Sequence, residues 1–168
     1  MSGCRFRARR LWVATVLVSL AIPQSRAADP FYLGRWKIES ATVAPWWTDA
    51  AKPDDAEMKS LVGKSVTISA KSIAGPRQLA CNGPKYEVKD YTADMLFQGG
   101  FGEMQTRDKS VDPAKIAARL GFTGTSWKTL ETGCGNEIDF HFIEPGRAAF
   151  GLNNYIYTLK KRVPEALR

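Results

Sequence analysis

His141 is the only histidine in the chain, and it stands two residues after Asp139. On an extended strand that spacing puts both side chains on one side. An imidazole and a carboxylate so placed can exchange a proton or share a ligand. Asp139 and His141 are therefore the acid–base candidates. Phe140 and Phe142 take the other side of the same strand, so the pattern puts His141 on an outer, solvated face. Serine hydrolase chemistry would also need a nucleophile elbow of the Gly-x-Ser-x-Gly kind, and the sequence has none. No catalytic set is assigned.

Cys81 and Cys134 remain as a pair once Cys4, near the N-terminus, is set aside with the leader described below. In an oxidising compartment two cysteines of a small domain are expected to form one structural disulfide. A zinc site would need paired ligand spacing and a fourth ligand beyond Cys81, Cys134 and His141, so no metal and no cofactor is predicted. Asp49, Asp54, Asp55 and Glu57 match no standard calcium loop and read as a solvated acidic loop. Gln98-Gly99-Gly100-Phe101-Gly102 lacks the lysine and helix of a phosphate loop. It reads as a turn at a barrel corner.

Aromatic residues offer binding chemistry instead. Trp46 and Trp47 follow Pro45, and two adjacent indoles do not easily enter one core. They predict either a cap over a barrel end or a rim that meets a ligand or protein partner. Trp36 is the third candidate.

The elements that position these residues begin after an export signal. Arg5, Arg7, Arg9 and Arg10 precede an apolar run from Leu11 to Ile22, and Ser25-Arg26-Ala27 offers a cleavage site. That order predicts a signal peptide over residues 1–27, too short in its apolar part to span a bilayer comfortably. Arg9-Arg10 leaves general and twin-arginine export both open. Removing 27 of the 168 residues leaves 141, enough for one domain over 28–168. The whole chain carries +7, from 24 basic and 17 acidic residues. Five arginines and no acid leave with residues 1–27, so 19 basic residues face 17 acidic ones, a net of +2. A nucleic-acid partner is not expected from that balance.

Strand patterns then follow one another. Leu33–Val43 alternates, with Trp36, Ile38 and Ser40 on one face. Further strands are predicted over 64–70, 85–92, 127–131, 137–143, 148–152 and 155–159, with a short one near 78–81. Glu144–Arg147 and Asn153-Asn154 are hairpin turns. One helix is signalled over 112–120. Asp112 is its N-cap, Pro113 its first residue, Val111 and Ile116 a staple, and Gly121 its C-terminal stop. The fold class is mainly β: a small antiparallel barrel or coiled sheet of seven to eight strands, one short helix and one disulfide.

Gly34-Arg35-Trp36, opening the first strand, resembles the Gly-x-Trp of lipocalin-type barrels. The resemblance implies that Trp36 closes a barrel floor, that Arg162 packs over it, and that a calyx holds a small apolar molecule. The helix departs from that family by lying in mid-chain. Asn82-Gly83-Pro84-Lys85-Tyr86 is also loosely similar to the Ser-Gly-x-x-Tyr loop of periplasmic lysozyme-inhibitor barrels, with Asn82 in place of the serine. The expected function is a non-catalytic binding module of a bacterial-type envelope, periplasmic or secreted, with a small apolar ligand in a barrel pocket. An interaction or inhibitor domain that meets an envelope protein through its aromatic loop is the alternative. No membrane span is expected after residue 27.

Overall fold

The computed structural model describes residues 30–47 and 55–162. The predicted leader and its cleavage site, like Asp49 and Asp54, lie outside the described residues. Nine strands form one antiparallel sheet: β1 (Gly34–Val43), β2 (Ser65–Ile68), β3 (Ser72–Ala74), β4 (Cys81–Asn82), β5 (Glu87–Tyr91), β6 (Trp127–Glu131), β7 (Phe140–Glu144), β8 (Arg147–Leu152) and β9 (Tyr155–Lys161). Their order is β4-β3-β2-β1-β9-β8-β7-β6-β5. The sheet curls into a half-barrel, mainly β as its patterns require. Strands β3 and β4 are too short to show an alternation of their own.

The inner face of the sheet is apolar, and so is the outer face over much of β6 to β9; each is covered differently. The inner face gathers Trp36, Ile38, Val66, Leu130, Phe140, Phe150, Tyr157 and Leu159 into one core. These side chains are at most 1 % exposed and fill the curl where an apolar ligand was expected. On β1 the alternation stops after Ile38, because a bulge shifts the register before Ser40. Ser40 is thereby exposed, and Ala41 meets the inner core in its place.

The outer face of β6 to β9 is covered by helices. These are α2 (Leu96–Arg107) and α3 (Pro113–Arg119), whereas α1 (Asp55–Leu61) packs Met58 and Leu61 against the inner core. Helix α3 is the predicted one. Its cap forms as read, with Ala114 N and Lys115 N donating to Asp112 Oδ1 at 3.0 and 3.3 Å. Ile116, Ala117, Phe101, Phe122, Trp127, Ala149 and Ile156 make the second core. Helix α2 corrects the reading of residues 98–102 as a plain turn. Phe97, Gln98 and Gly99 turn left-handed at φ of 52, 55 and 78°, and Phe101 and its successors then run as helix. Three glycines in five residues hide that helix from propensity alone. Among the described residues no helix is long and apolar enough to cross a membrane.

The two ends of the curl are joined by side chains. Cys81 on β4 is bonded to Cys134, beyond β6, across 53 residues. Tyr86 Oη donates to Ser69 O at 2.9 Å and Asn136 Nδ2 to Gln78 O at 2.9 Å beside it. Closing a loop of that length in the unfolded chain is worth roughly 4 kcal/mol. The paired substitution Cys81→Ser with Cys134→Ser is therefore expected to lower stability by about that amount in urea unfolding. An unchanged midpoint would show that the curl holds itself shut without the bond.

Candidate functional site

The acid–base candidates part company in the fold. His141 lies under α2 and is wholly buried, which corrects its expected place on a solvated face. The outer face of β7 is the face that the helices cover. Phe97 N–H donates to His141 Nε2 at 3.0 Å, and that fixes the tautomer. Nδ1 must then carry the proton and donate to Thr129 Oγ1, 2.8 Å away. Burial holds the imidazole neutral, its pKa pushed down to about 3. With both nitrogens engaged inside the second core, His141 anchors backbone rather than meeting a substrate.

The bond it makes explains the strained backbone beside it. A phenylalanine at positive φ costs on the order of 1–3 kcal/mol and persists only where its surroundings demand it. Here the N–H is held by His141, and the ring packs against Phe101, Phe122 and Trp46. Gln98 Nε2 adds a bond to Glu137 O at 2.9 Å.

Asp139 sits nearer the surface on the same strand side and accepts from Thr132 N at 3.3 Å. Burial raises its pKa to about 6, assisted by the charge of Glu131 and opposed by the Thr132 bond. Its neighbour Glu131 is the group that sequence reasoning missed. Lys89 Nζ and Tyr91 Oη donate to its two oxygens at 2.8 and 2.6 Å, and Lys89 first and Tyr91 second hold its pKa down. Tyr91 itself is pushed up to about 12, by burial first and by Glu131 second. Only the pairing of β5 with β6 brings these three together, because Lys89 and Glu131 are 42 positions apart. No local pattern could announce that.

The aromatic candidates are placed as follows. Trp36 is buried at the mouth of β1, with its Nε1 donating to Tyr32 O at 2.9 Å. The cation over its ring is Lys161, with Nζ 5.5 Å from the centroid, so Lys161 rather than Arg162 does the packing. Arg162 is exposed and donates its N–H to Arg35 O. Trp46 lies half-buried over Gly100 and Gly151, where added Cβ atoms would come within 3.1 and 3.5 Å of its ring. Its Nε1 donates to Asn153 O at 3.3 Å, so this indole caps the second core. Trp47 is half-buried beside it. Asp55 and Glu57, read as solvated, accept instead from Tyr155 Oη and Asn153 Nδ2 on the β8–β9 hairpin.

Two surface clefts open among the described residues. One, of about 340 Å³, is lined among others by Asp94, Gln105, Asp112, Gly124 and Trp127. The Trp127 Nε1 is buried with no hydrogen-bond partner. The other, of about 410 Å³, is lined by Lys64, Ser65, Arg77 and Gln78 with Ser60, Leu61, Gly75 and Pro76. One cleft is acidic and the other basic, and neither is lined by Asp139 or His141.

The buried histidine predicts a pH signature. Unfolded, His141 takes a proton as pH falls below about 6.5, whereas the folded chain refuses it until about 3. Stability from this group is thus present at neutral pH and lost on acidification through that window. Asp139 acts with opposite sign: its folded pKa is raised from 3.8 to about 6, so its contribution falls as pH rises through that interval. His141→Ala is expected to cost roughly 2–4 kcal/mol at pH 7 in urea unfolding, through a cavity and an unpaired Phe97 N–H. His141→Gln, which keeps an acceptor, should recover part of that loss and remove the acid limb between pH 6.5 and 3. A variant that keeps the wild-type slope there would refute the assignment.

A scan of family models, of curated proteins and of solved structures found no match to this chain.

Proposed function

We propose that this chain is a non-catalytic binding module exported to the periplasm or beyond a bacterial-type envelope, and that it meets its ligand on its outside. The observation that carries this reading is the filled curl. Trp36, Phe140, Phe150 and Tyr157 occupy the interior and are at most 1 % exposed, while the two clefts open on the surface and are lined by polar and charged groups. The predicted leader and the Cys81–Cys134 bond support an oxidising compartment. A relation to lipocalin-type barrels belongs to the same proposal, and rests on Gly34-Arg35-Trp36 with a cation over the indole. It is a relation in framework, with the ligand outside the calyx.

A second reading, interaction with an envelope protein, is favoured by Val43, which is 45 % exposed where β1 runs into the Trp46-Trp47 loop. In that reading Trp47 supplies the aromatic contact.

The first reading is tested with an apolar fluorophore. Titration of the folded protein with 1-anilinonaphthalene-8-sulfonate is expected to show no saturable one-to-one site, and native mass spectrometry no retained apolar molecule. A stoichiometric apolar ligand that shields Trp36 would move the site inside the curl and sink this reading.

A further inference from the structure

The strand register assembles cations that the near-neutral balance of residues 28–168 conceals. Lys37 on β1 stands opposite Ser65 on one side and Lys160 of β9 on the other. Lys160 in turn stands opposite Arg147 of β8. Like charges directly across a sheet destabilise it, so this row works against the fold that displays it. Only Arg147 is relieved, by Glu144 at 3.1 Å. Among the described residues, Arg35, Lys37, Lys64, Arg77, Lys160 and Arg162 form no ion pair.

The basic cleft lies beside this row, through Lys64 and Ser65 at the start of β2. Its shape is built by Gly75. A Cβ there would sit 2.8 Å from Ser65 O and 3.3 Å from Val66 Cα, so only glycine lets the end of β3 lie so close to β2. The chain then returns as Pro76-Arg77-Gln78 over Lys64 and Ser65. That turn is fixed by Leu79 N and Ala80 N donating to Pro76 O at 2.9 and 3.0 Å. Asn136 ties it, through Gln78 O, to the segment that holds Cys134.

The hydrogen-bond directions inside the cleft match an anion. Ser65 Oγ accepts from Arg35 Nε at 3.3 Å and so retains its own proton to donate. No aspartate or glutamate lines the cleft. The C-terminal end of α1, whose partial charge would repel an anion, is blunted. Its Met58 and Leu61 carbonyls already accept from Val62 N and Lys64 N.

We infer that this cleft binds a phosphate-type dianion, held by Lys64, Arg77 and the Ser65 hydroxyl, with the row of Lys37 and Lys160 raising the local anion concentration. The inference deepens the surface-binding reading and rests on it. Charge-assisted bonds from such cations to phosphoryl oxygens are about twice as strong as neutral ones. The group can arrive free, on a small phosphomonoester, or as the phosphomonoester headgroup of a lipid. All three present the same oxygens.

The test is calorimetric titration of the oxidised protein with inorganic phosphate at constant ionic strength, paired with flotation on phosphatidic acid–phosphatidylcholine vesicles. Phosphate is expected to bind one-to-one with a Kd on the order of 1 mM or tighter, and more weakly as sodium chloride is added. The paired change Lys64→Gln with Arg77→Gln should weaken binding about tenfold or more. The thermal midpoint should not move, since both side chains are exposed and unpaired. Phosphate binding without flotation assigns a free phosphoryl ligand. Flotation that phosphate competes away and the paired change abolishes assigns a headgroup. Either supports the inference. It is overturned if neither probe binds, or if the doubly substituted protein binds as well as the parent. Such failure leaves surface binding in general standing, because that reading falls only if the apolar fluorophore finds a site within the curl.

Discussion

The inner core depends on the two ends of one curled sheet being held together where no strand pairing joins them. In the strand order β4 and β5 stand at opposite edges, yet Cys81 and Cys134 lie 6.1 Å apart at their Cα atoms. A curl that bows around Trp36, Phe150 and Tyr157 shields them only while its lips stay near one another. The disulfide, with the Tyr86 and Asn136 bonds beside it, supplies that closure from side chains. The disulfide and the packed half-barrel are, in this molecule, parts of one closure.

The other face of the same sheet has a different solution, centred on one imidazole. Strands β6 to β9 carry apolar groups outward as well as inward, and the outward ones need a lid. Helices α2 and α3 provide it, and the entry to α2 is held by the Phe97–His141 bond. A neutral histidine can take a backbone proton and give one to Thr129 in the same plane. Aliphatic residues cannot do either. The positive φ of Phe97 persists because its amide and its ring are both spoken for. Here burial turns the residue with the most obvious chemistry into scaffolding.

Charge is sorted along the sheet. Carboxylates Glu87, Asp90, Glu131 and Asp139 belong to the β5–β7 end, where Lys89 and Lys128 answer three of them. Among the described residues, Arg35 and Lys37 on β1 and Lys160 on β9 form no ion pair. Opposed lysines in adjacent strands are tolerable at an exposed, well-hydrated surface, where repulsion is screened. They remain a cost that an anionic ligand would relieve. A molecule nearly neutral as a whole can therefore present two chemically different sides.

Much of the framework is local and so was legible in the residues. Period-two alternation marked β1, β2, β5 and β7, and Asp112-Pro113 with Gly121 bracketed α3, since caps and turns act within a few positions. The Cys81–Cys134 pair followed from the predicted leader and from elimination. Short β3 escaped and β4 was placed at 78–81 rather than Cys81–Asn82, because two or three residues carry no period, and α2 escaped because its glycines argue for a turn. What tertiary structure alone decided is which surface each side chain reached. Alternation says that His141 and Phe140 point to opposite sides, but it does not say that both sides are covered. Likewise Lys37 meets Lys160, and Lys89 meets Glu131, only through long-range register. Hydrogen-bond register and helix cover are properties of segments tens of residues apart, and no window of sequence contains them.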